Sequence, residues 1–251
     1  MSRNYTPFSF DKMLKIRKAA EAALKDGAEP LAAFDADGTL WDMDMGETFF
    51  EYQIANKLLA NMPDDPWQYY LDLHKRDTPA AFLWLAQINR GIKLSTVREW
   101  AHSAFEAIKP VPIFGEMKDL VTDLKKFGVD VYVVTASIKW AVEPAAEFIG
   151  IPAENVIGVQ TEVVDGIVTD RPGPIVTWRE GKVTGLLEAT GRRRPFLCAG
   201  NTMGDLALLD CATHFRVVNA AVGPEHANRE SEQKLVEVAR KRGWYFHVYR
   251  P

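Results

Sequence analysis

LAAFDADGTLW, residues 31–41, is a short apolar run that breaks into an acidic turn holding one glycine. With Pro30 at its head, the run to Phe34 reads as a buried strand, and the polar residues after it as a loop free to carry chemistry. Upstream, Phe10, Met13, Leu14, Ile16 and the alanines to Leu24 recur at helical spacing, with Ser9 or Asp11 as cap and Gly27 as stop, and predict an outer amphipathic helix. Downstream the pattern changes. Between Glu47 and Lys109 no strand pattern occurs, while helix punctuation recurs: Thr78-Pro79 at a start, Gly91 at an end, and Thr96 with Glu99 as a capping box. Aromatic residues, among them Phe49, Phe50, Tyr70 and Trp84, crowd this segment, as the thin core of a small helical unit requires.

Beyond Pro112, strand and helix patterns alternate. A helix over 116–127 closes at Gly128, a β-branched run over 129–134 ends in Thr135-Ala136-Ser137, and a helix follows over 138–148. Residues 156–164 with 167–169 read as a hairpin across Asp165-Gly166. A helix over 182–188, a strand over 196–199 running into GNTMGD, strands over 215–218 and 244–249, and a helix over 225–242 complete the pattern. The alternation predicts an α/β fold, a Rossmann-like doubly wound parallel sheet with an inserted α-helical unit. The expected division is 1–44 with 110–251 for the sheet domain and 45–109 for the helical cap.

The 251 residues are 47% hydrophobic and 25% charged, and 14 Pro with 17 Gly are too few for a low-complexity chain. A formal charge of -4 offers no electrostatic footprint for nucleic acid or an anionic membrane. The basic run Arg192-Arg193-Arg194 reads as a solvated lead into a strand. No run of about 18 apolar residues occurs, so no membrane span is expected. Cys198 and Cys211 lie in apolar surroundings and the first residues show no signal-peptide core, which points to packing thiols and a reducing cytoplasm.

In sheets of this class, ligands bind at the carboxyl ends of the strands, where helix N-termini and free amides converge. The predicted ends bring Asp35 and Asp37, Thr135, Lys182, and Asn201 with Asp205 to that edge. Carboxylates with an amide suit a hard cation such as Mg2+, while a hydroxyl, a lysine and loop amides suit a phosphate. A lone carboxylate would repel an anionic substrate; a shared cation and an opposing lysine reverse that. Asp35 can then attack phosphorus to form an aspartyl-phosphate, and Asp37 can protonate the leaving oxygen and later activate water. Gly38 lets the turn bend, and Thr39 can tie it down.

These segments, over about residues 31–218, resemble the motifs of the haloacid dehalogenase-like phosphatase superfamily. FDADGTLW is similar to the first motif, which implies Asp35 as nucleophile, the Asp37 side chain as acid/base and the Asp37 carbonyl on magnesium. VYVVTAS resembles the second, which implies Thr135 on the phosphate with Ala136 and Ser137 beside it; Ser137 either donates a hydrogen bond there or forms a turn at a helix start. Lys182, in GKVTGLL, matches the third motif, and AGNTMGDLALL the fourth, implying Asn201 and Asp205 as metal ligands. The family usually has an aspartate where this chain has Asn201; an amide oxygen still ligates, with one negative charge fewer.

The insertion is similar to the C1-type cap of the phosphoserine phosphatase-like branch, and NVIGVQTEVVDG also resembles bacterial phosphorylcholine phosphatases. The resemblance implies a lid whose residues set specificity. Glu47 is then a candidate partner for a substrate ammonium, or else simply charges the first turn of a helix. Trp41 or a nearby aromatic is a candidate to stack on a quaternary amine. Asp42 and Asp44 read as solvent-facing or hinge residues.

Other readings of these motifs fail. A calcium loop from Asp35 needs glycine and glutamate where Leu40 and Gly46 stand, and a P-loop needs Ser or Thr where Val183 stands. The histidines lack zinc-ligand spacing. Three functions remain: a magnesium-dependent phosphomonoester hydrolase for a small phosphorylated metabolite, a phosphotransferase on the same scaffold, and a non-catalytic binding protein, which only Asn201 suggests.

Overall fold

LAAF folds as β1 (Leu31–Phe34), buried along its whole length, as a central parallel strand covered on both faces demands. It pairs in parallel with β2 (Asp130–Ile138) on one side and β6 (Leu197–Gly200) on the other. With β3 (Val156–Val159), β7 (Phe215–Ala220) and β8 (Tyr245–Val248), the sheet has six strands in the order β3-β2-β1-β6-β7-β8, all parallel. The computed structural model describes residues 6–25, 29–60 and 62–250. Gly27, expected to stop the first helix, lies outside them.

Successive side chains of a strand point to opposite faces, and the two apolar layers follow that period. Ala32, Phe34, Leu197 and Ala199 meet Ile16 of α1 (Phe10–Lys25), Leu120 of α6 (Gly115–Lys126) and Ala145 of α7 (Lys139–Phe148). Leu31, Ala33 and Cys198 meet Leu186 of α8 (Glu180–Ala189), Leu208 of α9 (Leu206–Cys211) and Leu235 of α10 (Arg229–Arg242). The sheet is therefore doubly wound, as the alternation predicts. Cys198 and Cys211 are free and buried, and among the described residues no helix is long and apolar enough to cross a membrane.

Between β1 and α6 stand α2 (Met45–Ala55), α3 (Pro66–Arg76), α4 (Thr78–Gln87) and α5 (Leu94–Glu106). The chain leaves and returns side by side: Phe114 N–H donates to Leu40 O (3.0 Å) and Asp42 N–H to Pro112 O (2.9 Å). The inserted helices do not close on themselves. Phe49, Phe50, Tyr70 and Val97 share one apolar cluster with Ile138, Trp140 and Ala141. Arg98 of α5 also donates twice, at 2.7 and 2.9 Å, to the buried Glu143 of α7, a bidentate pair that fixes the two helices to each other.

Several local expectations give way to tertiary pairing. β2 does not stop at Thr135; after an irregularity it pairs again with β3, Ile138 opposite Val159. The apolar run 156–164 splits at Gln160, with β3 joining the main sheet while β4 (Thr161–Val164) turns off to pair with β5 (Ile167–Pro172). Their turn is as expected, with φ of 51° at Asp165 and 76° at Gly166. Thr96 caps nothing: α5 begins at Leu94, whose N–H donates to Gly166 O (2.9 Å), because the hairpin already holds the preceding backbone. α10 begins at Arg229 rather than near Glu225, after a turn in which Asn228 N–H donates to His226 Nδ1.

Candidate active site

Chain connections run outward from β1 to β2 and β3, then return to β6 and continue the other way, so the switch point lies between β1 and β6. Loops leaving two strands there diverge and open a crevice. Asp35 follows β1 directly, its N–H donated to Ala199 O at 2.9 Å, and Asn201 follows β6. The loop after Asp35 is wound tightly: Thr39 and Leu40 N–H both donate to Ala36 O, and Gly38 turns the chain at φ 75°. Asn219 Nδ2 pins it from β7 by donating to Thr39 O (2.9 Å). Thr39 Oγ1 in turn donates to Asp35 Oδ2 at 2.8 Å.

Lys182, on α8, donates from Nζ to Asp35 Oδ1 (2.6 Å) and Asp205 Oδ1 (2.5 Å), with all three side chains buried. Burial pulls the lysine pKa down, but the two carboxylates outweigh it and the pKa ends raised. Asp35 is pushed up to about 7, first by burial and then by the Asp205 charge, against the pull of Lys182. Asp205 Oδ2 accepts from Asn201 N (3.1 Å), Thr202 N (3.0 Å) and Thr202 Oγ1 (3.3 Å). Its carboxylate is thus the counter-charge of Lys182 and the organiser of the fourth loop, with Oδ2 filled.

Asp37 is held on both oxygens. Oδ1 accepts from Trp41 Nε1 (2.7 Å) and from Met45 N–H at the head of α2 (2.9 Å); Oδ2 accepts from Ser137 Oγ (2.6 Å). Burial, and next the Asp44 charge, push Asp37 up to about 7, with those hydrogen bonds opposing. Trp41 has no exposed surface, so it has no face to stack on an amine, and its contact is with Asp37. Ser137 likewise reaches Asp37, while Thr135 Oγ1 accepts Ser137 N–H (3.0 Å) with Ala136 half-buried between them. Thr135 stands on β2 at the same edge as Asp35, and its carbonyl accepts from Thr177 Oγ1 (2.6 Å).

Glu47 lies in the first turn of α2, and its Oε1 accepts from the buried Tyr70 hydroxyl at 3.2 Å. Burial raises its pKa, and burial with the nearby acids raises that of Tyr70. Asp44, expected at a hinge or in solvent, caps α2 by accepting Glu47 N–H (2.8 Å). It is pushed up to about 7 by burial and then by Glu47. Asp42 is ion-paired with Arg250. The carboxyls of Asp35, Asp37, Asp44 and Glu47 are thus near enough to raise one another's pKa, with Lys182 on Asp35 as the opposing charge.

Sequence reasoning missed Glu232. Its carboxylate, 1% exposed, accepts from Asn201 Nδ2 (3.2 Å) and from the Ala221 and Val222 N–H groups (3.1 and 3.2 Å). Burial pushes it up to about 7. One signal was available: Glu232 stands three and four residues before Leu235 and Val236, an acid on the apolar face of an amphipathic helix. Tyr70 carried no such signal among so many cap aromatics.

The oxygens that would suit a hard divalent cation here are the Asp35 carboxylate and the Asn201 amide oxygen, with the Asp37 main-chain carbonyl that the family resemblance implies. Because Asn201 Nδ2 faces a carboxylate, the amide oxygen is the atom left to ligate. Among the described residues no three Asp, Glu, His or Cys side chains form a metal-holding group, so a cation here would need carbonyl and amide oxygens as well.

A doubly wound sheet with a helical unit inserted after its first strand is the class of protein these features define. Within that class, the profile of the haloacid dehalogenase-like hydrolases matches residues 32–210, and the chain belongs to that family. No curated protein matches it in sequence. Solved structures do. A protein with unknown function from Bordetella pertussis Tohama I is similar with a TM-score of 0.71 and 19% identity, over 87% of this chain and 98% of that one. A functionally unknown protein from Anaerococcus prevotii DSM 20548 gives 0.70 and 15%, over 100% and 98%. A phosphoserine phosphohydrolase-like protein from Francisella tularensis subsp. tularensis SCHU S4 gives 0.54 and 17%, over 86% and 94%. At such identities the likeness is one of fold.

Proposed function

We propose that the chain is a Mg2+-dependent phosphomonoester hydrolase for a small metabolite that carries an ammonium group. The observation that supports it most is the buried Asp35–Lys182–Asp205 array at the sheet switch point. Lys182 and Thr39 fix the Asp35 carboxylate from both oxygens, so its attacking lone pair is aimed without a search of rotamers. Asp35, Asp37 and Asn201 would hold the cation, which when bound neutralises charge on the phosphoryl group and on Asp35.

Asp35 attacks phosphorus as the P–O bond to the leaving group breaks, and Asp37 gives that oxygen its proton. Asp37 then takes a proton from water, whose oxygen displaces Asp35 and releases phosphate. A carboxyl near pKa 7 serves both steps, since it gives and takes a proton at similar cost. Asp205 enters as the partner of Lys182 rather than as a principal ligand, Trp41 and Ser137 enter as the groups that hold Asp37, and Thr135 lines the phosphate edge. Glu47, set by Tyr70, supplies the negative charge that selects an ammonium.

The test is phosphate release from a panel of small esters with and without Mg2+. Esters bearing an ammonium are expected to turn over, and Asp35→Asn to abolish turnover while folding normally. Glu47→Gln should raise KM for the ammonium esters and leave KM for p-nitrophenyl phosphate unchanged. Turnover by Asp35→Asn, or activity untouched by chelation, refutes the reading.

A further inference from the structure

α10 packs its first turn under the fourth loop through two hydrogen bonds: Met203 N–H donates to Ser231 Oγ (3.0 Å) and Asn201 Nδ2 to Glu232 Oε1 (3.2 Å). Placing a carboxylate beside Leu235 and Val236 is unfavourable unless its oxygens are satisfied, and here the donors are two backbone amides and one side-chain amide. The side-chain amide is the informative partner. The oxygen and nitrogen of an asparagine are nearly isosteric, so an unrestrained amide can present either. With Oε2 filled by the Ala221 and Val222 N–H groups, Oε1 is the acceptor left for Asn201, and Nδ2 turns toward it. Gly38 closes on the same nitrogen: a Cβ there would lie 2.0 Å from Asn201 Nδ2 but 3.6 Å from Oδ1, so the first loop packs against the amide's donor side and leaves the oxygen the less crowded atom.

We propose that Glu232 is a positioning residue for the divalent-cation site, a proposal that rests on the phosphatase reading above. It clamps the Asn201 amide against Gly38 with the oxygen free to ligate. It also sets, one hydrogen bond away, the carboxyl group that an aspartate at 201 would carry itself. Acid and amide thus share the work that a single carboxylate does alone.

Calorimetric titration of the chelator-treated full chain with Mg2+ reads this without turnover. Glu232→Gln should weaken Mg2+ binding roughly 10- to 100-fold, the usual effect of removing a group that orients a metal ligand. At saturating Mg2+ its KM for the ester should stay within about threefold, a margin small beside that loss. Asn201→Asp alone sets two carboxylates against each other and should lower Tm. Combined with Glu232→Gln, it moves the charge to 201 and should restore both Tm and Mg2+ affinity, whether or not the single Glu232 variant folds. Wild-type affinity in Glu232→Gln, or a double variant no better than Asn201→Asp alone, overturns the proposal and leaves the phosphatase reading standing. Failure of the wild-type chain to bind Mg2+ removes both.

Discussion

Replacing Lys182 by methionine keeps the bulk of the side chain and removes the charge between two buried carboxylates. The facing oxygens of Asp35 and Asp205 lie 2.6 and 2.5 Å from the same nitrogen, hence no more than 5.1 Å from each other, the sum of those distances. Two unit charges about 5 Å apart at an effective dielectric near 20 repel by about 3 kcal/mol. Removing one member of a buried ionic group costs about 3–5 kcal/mol in general. The protein can escape only by protonating Asp35, whose pKa already stands at about 7 and rises further without the lysine. That escape costs nothing at pH 5 and up to about 1.4 kcal/mol at pH 8, one unit above that pKa, while Asp205 loses its counter-charge at both. Melting in the presence of chelator should therefore show the variant below wild type at both pH values and roughly 3–6 °C further below it at pH 8 than at pH 5, taking about 1.4 kcal/mol for that one pH unit and 2–4 °C per kcal/mol for a chain of this size. Equal melting temperatures at pH 8 would refute the picture of a lysine that offsets two buried charges.

Asp44→Asn keeps an N-cap of equal quality and deletes one acid from the cleft. Because burial raises the folded pKa of Asp44 from 3.8 to about 7, the native state holds its proton more tightly, and the stability this gives below pH 4 is lost as pH rises to 7. The variant should match wild type at pH 4 and melt higher at pH 8; a melting difference independent of pH would show that Asp44 ionises freely. Gly38→Ala should destabilise by about 1–2 kcal/mol from the left-handed φ alone. Its Cβ must also displace the Asn201 amide, so the Mg2+ needed for half-maximal activity should rise. A denaturation midpoint and metal titration both like wild type would contradict the packing.

How much of this could be read from the chain depended on the range over which each signal acts. The first loop was legible because its parts are local: Gly38, Thr39 and the apolar strand before them act within a few residues of Asp35. The Asp165-Gly166 turn was legible for the same reason. By contrast, β2 extends past Thr135 and α5 starts before Thr96 only because β3 and the hairpin supply hydrogen bonds from afar. Trp41 misled for a subtler reason: an aromatic near an acidic loop suits a cation, but an indole N–H also suits a buried carboxylate that needs a donor, and the fold used the second property. Asn201 is the sharpest case. Read within its own motif it is a missing charge, and nothing within the motif replaces it. The replacement stands 31 residues on in sequence, on a helix whose apolar face includes one acid. A buried carboxylate on such a face asks for a donor, and an asparagine in a motif that wants an anion asks for an orienting acceptor. Each anomaly is weak alone, but they are complementary in hydrogen-bonding sense, so a search for paired anomalies would have joined Glu232 to Asn201 before any coordinates.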